Sequence, residues 1–154
     1  MGTEPEVDII AAGPGFFGTL GVRVIDGRPF EESDRFGGRP VVVISEGAAR
    51  EFWPGEDPIG KTIALAKGGG SREGAAVVGV VGDVHYQSVE DAPRPTAYAP
   101  MSQLARSGGY VFVRTARDPR DLAASVRGAV RSMDPNILVS SVRTMDEMVA
   151  DVTV

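Results

Sequence analysis

The hydrophobic pattern changes period several times along the chain, and each change predicts an element. Val7–Ala11 is apolar enough for a strand. Gly13-Pro14-Gly15 then opens a short helix, with Pro14 near its first position, where a missing N–H costs little. Phe16, Phe17 and Leu20 supply the apolar face, and Gly21 stands where a left-handed C-terminal cap is expected. Val22–Ile25 reads as a second strand, and Asp26-Gly27-Arg28-Pro29 turns out of it. The stretch predicts a compact βαβ unit.

A similar unit recurs at the other end. Tyr110–Arg114 alternates and is rich in β-formers. Asp118-Pro119 supplies a helix cap and a first-turn proline. Leu122, Val126, Val130 and Met133 fall on one helical face. Asp134-Pro135 stops that helix, because a residue before proline is pushed out of the α region. Ile137–Val142 reads as the next strand, and Thr144-Met145-Asp146-Glu147 has the spacing of a capping box that starts a last helix. Two βαβ units predict an α+β fold with a ferredoxin-like layer, one sheet with helices on one face.

Between the two units the texture differs. Val41–Ile44 predicts a strand, Glu46–Trp53 a helix, and Thr62–Ala66, Ala75–Val84 and Ala97–Pro100 short β-segments, with Gly68-Gly69-Gly70-Ser71 a flexible hairpin tip. The expected division is therefore a discontinuous porter-like part, residues 1–30 and 108–154, and an inserted β-rich part, residues 31–107.

Composition narrows the classes. The 154 residues are 42% hydrophobic and 24% charged, as in folded globular domains. A net charge of −5 argues against non-specific nucleic-acid binding, which needs a basic face. The absence of cysteine excludes disulfides, thiolate catalysis and Cys-based metal sites. Met1–Glu6 has neither the basic nor the apolar part of a secretory signal. The longest apolar runs, Val41–Ile44 and Val77–Val81, are strand-sized, far short of the roughly 20 residues of a membrane span. The polypeptide thus reads as soluble, and both of its ends read as cuts.

Candidate chemistry is thin. Gly55-Glu56-Asp57-Pro58-Ile59-Gly60-Lys61-Thr62 matches the spacing of a phosphate-binding P-loop. That loop works between a strand and a helix whose N-terminus faces the phosphates. Here a helix precedes it and Thr62-Ile63-Ala64-Leu65 reads as a strand, while Glu56 and Asp57 place negative charge beside any nucleotide. The match is expected to be a structural turn. His85 is the sole histidine, two residues from Asp83, with no convergent serine (Ser45 and Ser88 are the nearest options) and too few partners for a metal. Phe16-Phe17, Phe52-Trp53 and Tyr98 are expected in the core. Glu31-Glu32 with Asp34 reads as a solvated turn.

The ordered set of motifs resembles the MacB-like periplasmic core domain of ABC-transporter permeases, in the duplicated orphan-permease variant. The resemblance rests on Gly13–Gly21, Gly27-Arg28-Pro29-Phe30, Val41–Glu46, Ala48–Pro54, Asp57–Lys61, Val78–Val84, Pro93-Arg94-Pro95 and Val142–Met145. It implies a domain on the periplasmic face of the inner membrane, with a porter-like subdomain and an inserted β-rich one, flanked by membrane helices of one parent chain. It also implies a second permease copy, an ABC ATPase acting across the membrane, and an optional periplasmic adaptor. The expected role is to couple ATP-driven helix motion to export or release of a substrate. The resemblance carries over no catalytic, cofactor-binding or metal-binding residue. Two other readings remain open at this stage. One is a signalling ectodomain that binds a peptide or a cell-wall hydrolase. The other is a small hydrolase or nucleotide-binding enzyme built on Gly55–Thr62 and Asp83/His85.

Overall fold

The computed structural model describes residues 7–66, 72–84, 94–104 and 108–152. The chain forms two compact units, Met1–Phe112 and Val113–Val154. The first holds β1 (Asp8–Ala12), α1 (Phe16–Leu20), β2 (Val24–Gly27), β3 (Val41–Ser45), α2 (Glu46–Phe52), β4 (Thr62–Ala66), β5 (Arg72–Val81) and β6 (Thr96–Pro100). The second holds a 3-10 turn (Pro119–Leu122), α3 (Ala123–Met133) and α4 (Met145–Val152).

One mixed sheet organises the first unit, in the order β1-β6-β3-β5-β2. β1 runs parallel to β6 and β3 parallel to β5, while β3–β6 and β2–β5 are antiparallel. β5 is ten residues long and carries β4 and then β2 along the edge opposite β3. The first βαβ unit is therefore split: β1 and β2 run the same way, with β6, β3 and β5 between them.

β3 lies at the centre, and all five of its residues are buried. Alternation sends Val42 and Ile44 to one face, where α2 lays down Ala48 with Phe52 partly buried beside it. Val41 and Val43 go to the other, where α1 adds Phe17 and β6 adds Tyr98. The two helices thus cover opposite faces of the sheet. A strand apolar at every position demands cover on both sides.

Local signals explain the helix ends. Ser45 ends β3 and caps α2, accepting from Ala48 N at 3.2 Å. Gly21 is left-handed at φ 72°, and Gly21 N and Val22 N donate to Gly18 O and Phe17 O, a Schellman ending. Pro14 falls in the turn before α1 and not at its first position; Gly15 (φ 81°) occupies the cap.

The expected division near residue 30 is crossed by the sheet, which joins β1 and β2 to strands from residues 31–107. Edge strands need ladder partners, and β6 and β5 supply them. In the second unit the helices form as expected. Glu147 N donates to Thr144 Oγ1 at 3.2 Å and Thr144 N to Glu147 Oε2 at 3.0 Å, the reciprocal bonds of a capping box. Tyr110–Arg114 and Ile137–Val142, read as strands, take no place in a ladder among the described residues. β-propensity makes a strand only where a partner edge is present.

Candidate functional site

The P-loop-like turn is placed first by its neighbours. α2 precedes it and β4 follows, the reverse of a strand–loop–helix site. Three of its donors are engaged: Ile59 N on Asp57 Oδ1 at 2.9 Å and Lys61 N on Pro58 O at 3.1 Å within the turn, and Gly60 N on Val77 O of β5 at 2.8 Å. The Lys61 ammonium pairs with Glu56 and sits 5.7 Å from the centre of the Trp53 ring. The turn fastens α2 to the start of β4 and the middle of β5, with the N–H groups of Ile59, Gly60 and Lys61 already engaged.

Asp83 is likewise committed. It accepts from Gly47 N at 2.7 Å and from Arg50 Nη2 at 3.0 Å, tying the strand end after β5 to α2. Ser45 Oγ accepts from Ala48 N and, at 3.0 Å, from Thr96 N. It is a junction between β3, α2 and β6. Neither Ser45 nor Asp83 is presented as a nucleophile or base to an open site. His85, Ser88, Lys67, Gly68–Ser71 and Pro93 lie outside the described residues. Among the described residues no three His, Asp or Glu side chains gather as a metal-ligand group.

The aromatic residues named from the sequence join the core. Phe17 meets Tyr98 edge-on at 5.0 Å and Phe30 at 5.9 Å, and Phe16 meets Phe17 at 5.4 Å and Phe112 at 5.9 Å. Phe52 and Trp53 form their own edge-on pair under α2.

The most structured polar site is one the sequence reading passed over as a solvated turn. Asp34 is only 8% exposed. It receives Arg28 through two bonds of 2.7 and 3.0 Å, and Glu31 N at 2.8 Å. The guanidinium above all, and then the Glu31 amide, hold the carboxyl below its ordinary range, and Arg28 is raised by the same bond. Glu31 and Glu32 stay exposed, as expected. After Asp34 the loop is held from a second side. Ser102 Oγ donates to Asp34 O at 3.0 Å, and Gln103 Nε2 donates to Arg39 O at 3.1 Å. Between these anchors Arg35, Phe36 and Gly37 project outward. No local motif marks this arrangement, because its partners are six and 68 positions apart in sequence.

No helix among the described residues is long and apolar enough to cross a membrane. The family model described as "MacB-like periplasmic core domain" matches residues 1–132. The chain belongs to that family. It is thus a periplasmic domain of the MacB-like ABC-transporter permease class. Among solved structures, the periplasmic region of MacB from Actinobacillus actinomycetemcomitans is similar at 23% identity and a TM-score of 0.59, over 81% of this chain and 56% of that one. That likeness speaks for the fold, and the chain spans little more than half of the MacB region. The extracellular domain of the ABC-type transporter YknZ from Gram-positive bacteria matches at 22% identity and a TM-score of 0.45, over 60% of this chain and 42% of that one. A permease-protein domain from Porphyromonas gingivalis matches at 22% and 0.49, over 90% and 69%. No relative was found among the curated proteins.

Proposed function

We propose that this MacB-like domain is a non-catalytic coupling element. It passes ATP-driven motion of the membrane helices of its parent chain into the periplasm and so drives export or release of a substrate. It works beside a second permease copy, with an ABC ATPase fused or separate across the membrane, and with a periplasmic adaptor where the system has one. The family match over residues 1–132 is the observation that carries this reading. The committed state of Lys61, Asp83 and Ser45 supports the non-catalytic part, since each already serves a structural bond.

The test is reconstitution of the intact permease with its ATPase in proteoliposomes. Replacing this domain with a flexible linker should abolish ATP-dependent substrate movement while ATP hydrolysis persists. Movement that survives the replacement overturns the reading, and so does a natural gene without membrane spans.

A further inference from the structure

Phe36 differs from the phenylalanines of the ring clusters. It is 84% exposed, at the tip of the loop between β2 and β3. A single exposed apolar side chain is ordinary. The backbone beneath this one is not loose, however. The half-buried Arg28–Asp34 pair and Ser102 hold one arm at Asp34, and Gln103 holds the other at Arg39. Gly37 closes the tip at φ 82°, and Gly38 N donates to Arg35 O at 2.9 Å.

The charges around Phe36 are also arranged. Arg35 and Arg39 flank it, both exposed, and neither has an ion-pair partner among the described residues. Glu32, on the opposite arm, is exposed and equally unpaired there. One short loop thus carries free cations, a free carboxylate and an aromatic tip on a fixed frame. Two copies of a chain with net charge −5 repel each other in general. A loop bearing both signs offers a place where opposite charges of two copies can be paired. A two-fold axis makes every contact twice, so setting the cations of one loop against the carboxylate of the other doubles the pairing. A rigid aromatic–arginine tip also has the composition of an interface anchor and loses little freedom on binding.

We propose that the Phe36 loop is a contact between two copies of this domain, with Arg35 and Arg39 of one copy against Glu32 of the other and the two Phe36 rings at the axis. The inference rests on the reading above, in which permease copies work in pairs, and it names the surface.

The domain has no cysteine, so Phe36→Cys places a single thiol in it. In membranes holding the intact permease, a short bismaleimide should then join two copies, and no product should form without that substitution. Arg35→Glu with Arg39→Glu should lower the product about 10-fold or more, and so should Glu32→Arg. Co-expressing the two charge-reversed forms should restore it as a mixed pair, which a misfolded variant cannot do. Absence of the product, insensitivity to charge reversal, failure of the mixed pair, or coupling only to lipid or to another protein overturns the inference. Native mass measurement of the solubilised permease separates the two levels. Paired copies without the position-36 product sink only this surface, whereas copies that never pair sink the paired reading itself.

Discussion

Arg28 and Asp34 form a two-pronged ion pair, Nη1 to Oδ2 at 2.7 Å and Nη2 to Oδ1 at 3.0 Å, that locks the β2–β3 connection. Asp34 is buried, but the Arg28 side chain is 35% exposed, so water screens part of the attraction. Asp34→Ala removes the two-pronged partner of the guanidinium, leaving it Glu31 at 3.8 Å and the Pro29 carbonyl, and should destabilise the domain by about 2 kcal/mol, between the surface and buried limits. Urea unfolding of the single and paired alanine variants checks this. A double-mutant cycle without coupling would count against the lock.

The same pair sets an acid dependence. Asp34 titrates lower when folded than when unfolded, so its contribution is fully present above the unfolded value of about 3.9. It is lost as pH falls from there through the folded value. The wild type should therefore lose more stability than Asp34→Asn between about pH 4.5 and 2. Parallel curves for the two proteins would contradict the assignment.

Ser45 Oγ accepts from two buried amides, Ala48 N and Thr96 N. Ser45→Ala strands both and removes the α2 cap, at a cost of about 2 kcal/mol. The urea midpoint should fall with an unchanged slope, and amide exchange should accelerate at Ala48 and Thr96 first.

A side chain at Gly79 has no room. A Cβ there would collide with the Arg28 carbonyl, where β2 closes on β5. Gly79→Ala should destabilise by about 1–3 kcal/mol, read as a lowered thermal midpoint. Gly27 is blocked in the same way by the Val78 carbonyl, whereas a Cβ at Gly55 meets no neighbour.

Lys61 is held by Glu56 and Trp53, and no helix follows it. Titration with Mg-ATP should release no heat of binding. Lys61→Ala should change stability by no more than about 1 kcal/mol. Micromolar affinity for the nucleotide would overturn the structural reading of the turn.

Signals that act within a few residues were legible from the chain alone. The Thr144 cap, the Gly21 ending, the apolar run of β3 and the false P-loop are of this kind, because cap spacing, φ preference and side-chain period are properties of neighbours in sequence. The family was legible for the same reason, as an ordered set of local turns. Which strand pairs with which was not. β1 and β2 each look like half of one unit, yet three strands stand between them, because pairing depends on edges brought together over long separations. Tyr110–Arg114 and Ile137–Val142 have strand composition without a ladder partner. Asp34 reads as a solvated carboxylate in Glu31–Asp34 and is buried only because Arg28, Ser102 and Gln103 converge on its loop. The sequence by itself determined the helices, the strands of the sheet, the Thr144 and Gly21 caps and the family. The tertiary structure decided strand order, the two-sided cover of β3 and the fixed frame beneath Phe36, since each depends on groups that meet only after the chain has folded.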